Sequence, residues 1–586
     1  MATNSSNKRK NQQRQASIRI ILLLGILVCV NLLASRLHYG LDLTEEKRFT
    51  LSASTKQMLR NMDDVAVIDI YLKGDDLPAG FKRLVASTRE RLQYFKEEAG
   101  KKVVFRFIDP FEGKSEAEKG PIFQALAKKG INGTNLQVKD EDGYSEKIVF
   151  PSALVRYKGK EYPVNLLENQ QPGMNPFEVL NNSETLLEYK FASAINFLGQ
   201  PDQPTIGYIM GNGENLGINT RDALSTLRSI YHLDTLDLHN SIKIPGPGLG
   251  TYEAIIINKP REAFEDKDKF KIDQYIMRGG HVLWLLDGVS ASMQDMVDSS
   301  GNNTQSFLTR ELPLNLEDML FNYGVRINPD LIEDMDCNPI PVTVGMMGDQ
   351  PQIELRSWYY FPVLMPTSNH PIVHNLDPIM TNFASSMDTI ANEGVRKTIL
   401  LASSKYSRVA PHPVRVSLSM MAYKPDNKLF NKPYRPVAVL LEGKFSSVFN
   451  NRLQPDFLKV LKDSLKMPFK SHCDSPTSMI VISDGDLIEN DYSEREGTMD
   501  MGYWRFTRNT FANKAFLLNC MEYLTDRSGL LESRSKDVKL RLLDSGRVKS
   551  ERSKWQWVNI AIPNVLIILF AVVYLFFRKR KYEKQL

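Results

Sequence analysis

Pro204-Thr-Ile-Gly-Tyr-Ile-Met-Gly-Asn-Gly-Glu-Asn-Leu-Gly217 reads as a β-prone run that delivers the chain into a glycine-rich loop. Working outward, a helix is expected over Thr220–Ile230, a strand over Leu233–Leu238, and a Pro/Gly loop at Ile244–Gly248. Next come the wholly apolar strand Ala254-Ile-Ile-Ile-Asn258, a helix over Phe264–Met277 closed by Gly279-Gly280, and His281-Val-Leu-Trp-Leu-Leu-Asp287. Strands that are apolar throughout are buried on both faces, and strands alternating with helices run parallel. The reading is α/β, with residues 201–526 a flavodoxin/amidotransferase-like doubly wound parallel sheet carrying insertions. Within it, Leu316–Tyr323 and Phe511–Thr525 read as helices, and the runs from Pro436 and from Ser478 to Asp486 as further strands. The proline-rich stretch 332–431 yields only short β-prone pieces such as Thr398–Leu401.

Upstream, residues 36–200 read as a small, membrane-proximal, thioredoxin-like α/β domain. Strands at Val65–Leu72 and Lys102–Ile108 flank a helix over Phe81–Ala99, which makes a right-handed βαβ unit. A helix near Ile122–Lys129, a hairpin over Val138–Val149 and Leu154–Tyr157, and a helix at Asn182–Leu198 complete it. Ser54 with Gln57 reads as a capping box.

Two apolar segments bracket this region. Residues 18–35 (Ile18 to Ala34 the apolar core) follow a basic tail, 1–17, holding Lys8, Arg9, Lys10 and Arg14. Residues 555–577 follow a charged stretch, 527–554, expected as a solvated stalk, and precede a basic tail, 578–586, opening Arg578-Lys-Arg-Lys581. About 20 apolar residues cross a bilayer, and flanking basic residues stay cytoplasmic. The expectation is a two-span protein of the cytoplasmic (inner) membrane, with both termini cytoplasmic and a multidomain extracytoplasmic region, about 36–554, in the periplasm. A cleaved signal peptide is the alternative for the first span.

The net charge of +5 over 586 residues leaves no nucleic-acid footprint. Four cysteines without C-x-x-C exclude a zinc ribbon or thioredoxin chemistry; one disulfide stays possible among Cys337, Cys473 and Cys520. The sequons at Asn132, Asn181 and Asn302 matter only in a eukaryotic secretory pathway. The loop spacing G-x-G-x-x-x-G, with Asp237 as a would-be ribose acid, departs from the dinucleotide fingerprint and reads as turn glycines. Asp484-Gly-Asp486 reads as a turn rather than a cation site, and His281 has no serine or cysteine partner at an elbow. No catalytic, cofactor-binding or metal residue is assigned, and the expectation is a protein that is not an enzyme.

Seven segments stand out together, Asp42–Ser52, Tyr71–Pro78, Phe107–Pro110, Gly207-Tyr-Ile-Met-Gly-Asn-Gly-Glu214, Ala254–Pro260, Tyr275–Gly280 and Ile480–Asp486. In this order they resemble auxiliary proteins of gliding-motility ABC transporters, the GldG family of Bacteroidota. The resemblance implies a membrane subunit, usually labelled substrate-binding, partnered by a multi-span ABC permease and a separate cytoplasmic ATPase. Where that family's loop reads Gly-His-Gly-Glu, Asn212 stands here, which speaks against chemistry at the loop; without a cysteine after the strands, amidotransferase activity is not implied. The alternatives are a free-standing receptor for a glycan, lipid or peptide in the cleft near Gly211–Gly217 and Asp287, and a hydrolase using Asp484, Asp486 or Glu214.

Overall fold

The computed structural model describes residues 50–535 except 75–76, 141–142, 169–175, 241–251, 298–303, 349, 423–424 and 527, with 545–583 and, of the N-terminal stretch, 18, 19, 21–29 and 31. The tail 1–17, most of the segment 36–52, the loop Ile244–Gly248 and the stalk from 536 to 544 lie outside the described residues. Two compact units result, Met1–Lys536 and Asp537–Leu586.

The first unit begins with helix α1 (Ala53–Arg60). Its cap is Ser52, whose side chain accepts from the Thr55 N–H at 3.1 Å, so the expected cap at Ser54 moves by two residues. A complete capping box occurs instead at Ser115–Glu118. Strand β1 (Ala66–Ile70), helix α2 (Ala79–Ala99) and strand β2 (Val103–Phe107) make the expected parallel βαβ unit. Helix α3 (Glu116–Lys128) follows. The single expected hairpin is in fact two: β3 (Thr134–Asp140) pairs with β4 (Gly143–Val149), and β5 (Ser152–Tyr157) pairs with β6 (Lys160–Asn165). Strand β5 also lies antiparallel to β1, giving the order β2-β1-β5-β6. The alternate residues Ile68 and Ile70 are fully buried, and helix α4 (Pro176–Gly199) supplies Leu187, Phe191 and Ile195 to the same core.

The larger sheet begins with β7 (Thr205–Met210), α5 (Arg221–Arg228), β8 (His232–Asp237), β9 (Ala254–Asn258), α6 (Asp266–Met277) and β10 (His281–Leu285). It continues through β11 (Cys337–Met347), β12 (Gln350–Pro366), β13 (Val395–Ala402), β14 (Pro436–Gly443) and β15 (Thr477–Ile482), before helix α7 (Asn513–Thr525). The order is β11-β12-β13-β14-β15-β10-β9-β7-β8. The five strands from β15 to β8 are parallel, as expected. The other four are antiparallel, so the sheet is mixed rather than wholly parallel. Within β9 the side chains alternate: Ile256 packs in a core with α5 and α7, while Ile255 and Ile257 join α6 on the opposite face. Both faces are therefore covered, which is why these strands carry no polar alternation.

The charged stretch expected as a stalk from Arg527 departs from that reading at once. A 3₁₀ turn, Leu530–Ser535, folds into the body: Leu530 joins Leu51 and Leu59 in the smaller core, Leu531 joins Leu524 in the larger, and Arg534 is buried. The second unit is helix α8 (Ser545–Glu583), continuous through Pro563. Its portion Ser550–Arg580 is, among the described residues, the one helix long and apolar enough to cross a membrane. Of the first expected span, residues 21–29 are helical and exposed, and much of the rest lies outside the described residues.

Candidate functional site at the carboxyl edge of the parallel strands

In an open parallel sheet, loops that leave the carboxyl ends of the strands define the crevice where ligands bind, most of all where the strand order reverses. Here that reversal lies between β7 and β9, and the residues singled out by sequence meet along this edge. After β7, Gly211 and Gly213 take φ values of +118° and +80°, conformations in which a Cβ is strained. A Cβ on Gly213 would also lie 3.0 Å from that of Arg261. The loop is pinned by the Arg261 and Glu262 N–H groups, which donate to the Asn212 carbonyl, and by Glu214 Oε2, which accepts the Asn212 N–H at 2.7 Å. These contacts hold the glycines in a tight turn. Asp237 is exposed and spent on its own turn, accepting from Asn240 N at 3.1 Å and Nδ2 at 2.7 Å, which holds its carboxyl below the usual range.

Three carboxylates from two strand ends converge: Asp287 after β10, and Asp484 and Asp486 after β15. Asp484 is fully buried, accepting the Asp486 N–H at 2.7 Å and the Asn382 N–H at 2.9 Å. Burial first, and then the Asp287 charge, push its carboxyl well above the usual range. Asp287 accepts the Gly485 N–H at 2.7 Å, so the Asp-Gly-Asp turn is tied back to the neighbouring strand. Two cations that sequence inspection passed over complete the group. Lys259, one residue past β9, ion-pairs with Asp486 and lies 3.1 Å from Glu489; Arg261 lies 3.3 Å from Asp287. The three acids therefore face two cations as well as one another, and their donor atoms lie close enough together to hold a metal ion. Glu214 remains apart, buried, its carboxyl raised by desolvation and its Oε1 without a hydrogen-bond partner.

His281 lies at the opposite, amino end of β10. It has a serine neighbour, though not one at an elbow: Ser478 Oγ is 3.0 Å from its Nδ1, with Thr477 Oγ1 at 3.2 Å. Ser478 is an interior strand residue facing Glu442 across the ladder, not the tip of an elbow. Among the described residues the cysteines are unpaired. Burial pushes the Cys337 and Cys473 thiols up to about 12 and 11, which favours the neutral thiol in both.

A cavity of about 500 Å³ opens elsewhere, where α4 of the smaller lobe meets α7. Tyr162, Tyr189, Phe197 and Tyr231 line it with Glu522 and Arg534. Glu522 accepts from the Tyr189 hydroxyl and, at 3.1 Å, from Ser193 Oγ, and burial pushes its carboxyl up to about 7. The Arg534 guanidinium lies 4.9 Å from the centre of the Tyr189 ring and donates to Asn519 Oδ1 at 3.2 Å. The aromatic residues come from β6, α4 and the segment after α5, while Arg534 is brought in by the turn at Leu530–Ser535, which had read as linker.

Comparison with known proteins places this architecture. A model of a domain of unknown function matches residues 45–156. An uncharacterized protein of Borreliella burgdorferi is 21% identical over 98% of this chain and 99% of its own length. A solved structure titled mmIFT52 N-terminal domain covers 55% of this chain and 97% of its own at 13% identity, with a TM-score of 0.29. The model described as ABC-type uncharacterized transport system matches residues 203–520, which span the larger sheet from β7 through most of α7. The chain belongs to that family, as an auxiliary component of an ABC-type transport system.

Proposed function

We propose that this protein is a non-enzymatic auxiliary subunit that works beside a separate multi-span permease and a separate cytoplasmic ATPase, in a complex associated with gliding motility. Helix α8 anchors it, and the α/β body, held in the periplasm between two spans, relays conformational change to the transporter or captures its cargo. The observation that carries this reading is the exposed apolar helix Ser550–Arg580 on a chain of this transport family. The charge-compensated carboxyl edge supports a structural rather than catalytic role, since Lys259 and Arg261 already neutralise the acids a reaction would use.

The test is purification from native membranes in mild detergent, followed by identification of the co-purifying chains. Near-stoichiometric permease and ATPase are expected. Replacing Trp555–Phe577 with an unrelated apolar helix should release them while the body stays folded. Purification of the chain alone would overturn the subunit reading, and retained partners after the replacement would overturn packing through α8. The cavity favours a second reading, a receptor for a small amphipathic ligand, because aromatic walls with few polar groups are usual for such sites. Saturable thermal stabilisation by envelope extract, abolished by Ser193→Trp, would support it.

A further inference from the structure

Apart from the acids beside Lys259 and Arg261, one other group of metal-ligating side chains converges among the described residues. His239 lies in the turn just after β8, Glu265 is the N-cap residue of α6, and Asp268 sits in that helix's first turn. His239 Nδ1 is 3.7 Å from Glu265 Oε1 and 3.6 Å from Asp268 Oδ2. Asp268 is fully buried, and its Oδ2 has no hydrogen-bond partner although it points into this triangle. Its other oxygen is occupied, accepting from Lys271 Nζ at 2.9 Å. Lys271 also donates to the Leu238 carbonyl, so the helix and the His239 turn are clamped together without using the triangle itself. Lys267 takes the second oxygen of Glu265 at 3.0 Å.

We infer that His239, Glu265 and Asp268 form a zinc site with a fourth position open to water. The donor set of one imidazole and two carboxylates suits a first-row divalent ion. Spacing narrows the choice. Zinc bonds of about 2.0–2.1 Å in a tetrahedron separate neighbouring donors by about 3.3 Å, whereas magnesium's octahedron at similar bond lengths separates them by about 2.9 Å. The observed 3.6 and 3.7 Å exceed magnesium's spacing, and the imidazole donor argues against calcium, whose longer bonds to an all-oxygen shell would otherwise match them. An ion at the centre would also satisfy Asp268 Oδ2, which makes no hydrogen bond and has only the His239 ring nitrogen, at 3.6 Å, before it. His239 and Glu265 are both exposed, which leaves a path for the ion and room for its water. The Glu265 side chain makes no capping hydrogen bond, and at 3.6–3.7 Å the imidazole pairs only loosely with either acid, so the three donors stand around a common point without closing on one another.

The experiment uses the full chain in detergent, stripped with a chelator and titrated with zinc against a chromogenic competitor. One tight equivalent is expected, and His239→Ala should weaken it at least tenfold while leaving the metal-free melting temperature unchanged. Cobalt in place of zinc should give the visible absorption of a four-coordinate site in the wild type and lose it in the variant. Glu265→Gln provides a second variant should His239→Ala fold poorly. Equal zinc affinity in wild type and variants, or no binding by the wild type, would overturn the assignment and leave a capped helix with an adjacent histidine.

Discussion

Replacing Lys259 by Met strips the carboxyl edge of its central cation while keeping most of the side chain's volume. Lys259, Asp486 and Glu489 have side chains only 11%, 13% and 18% exposed, so little water is available to screen what remains. Removing one partner of a buried pair costs about 3–5 kcal/mol, because the surviving charge is left uncompensated. Asp287 keeps Arg261 and Asp484 keeps its backbone donors, so the loss should come mainly from Asp486 and Glu489. A double-mutant cycle isolates this. Asp486→Asn alone should cost less, since Lys259 retains Glu489, and the double variant should recover part of the Lys259→Met loss. Urea unfolding of the detergent-solubilised chain, followed by tryptophan fluorescence, supplies the comparison. Additive effects, or a Lys259→Met variant within about 0.5 kcal/mol of wild type, would refute the claim that this lysine neutralises the site.

Stability should fall as pH rises from about 4.5 to about 7, because Glu522 (about 7), Asp330 (about 6) and Asp377 (about 6) hold protons in the folded state that the unfolded chain has already released. Glu522→Gln should flatten the upper part of that slope, with melting temperature against pH as the readout. Trp284→Ala, at a fully buried ring in β10, should cost about 3–5 kcal/mol through the cavity it leaves, read from the denaturation midpoint. Gly213→Ala should cost about 1–2 kcal/mol or more, since it places a Cβ at positive φ against Arg261; an unchanged midpoint would remove the steric account of that loop.

The parallel half of the sheet was legible because β9 and β10 are apolar at almost every position, and only strands covered on both faces tolerate that. The antiparallel half was not. Much of β12 from Gln350 is exposed, and prolines at 339, 341, 351 and 362 obscure β11 and β12, so no periodicity stands out. At the carboxyl edge the acids could be read from their positions just past strand ends, whereas Lys259 and Arg261 looked like ordinary surface cations until the fold buried their partners. His239 and Asp268 are separated by 28 intervening residues, and no short motif joins them. Leu530–Ser535 was misread for a related reason: its charges suggested solvent, but Arg534 is buried against Asn519, the His374 carbonyl and the Tyr189 ring.

That turn has a mechanical consequence. Leu530 packs with Leu51 and Leu59, so the chain leaves the folded body beside the point at which it enters it. A pull applied through the C-terminal helix is therefore taken up first by Leu530–Ser535 and the two helices that grip it, α1 and α4, and by α7 behind them. The ten-stranded sheet meets that load through Leu531 and α7 rather than through its own strand ends. Tension on the tether would strain the seam between the lobes and the aromatic chamber within it, leaving the sheet as a rigid lever rather than a spring.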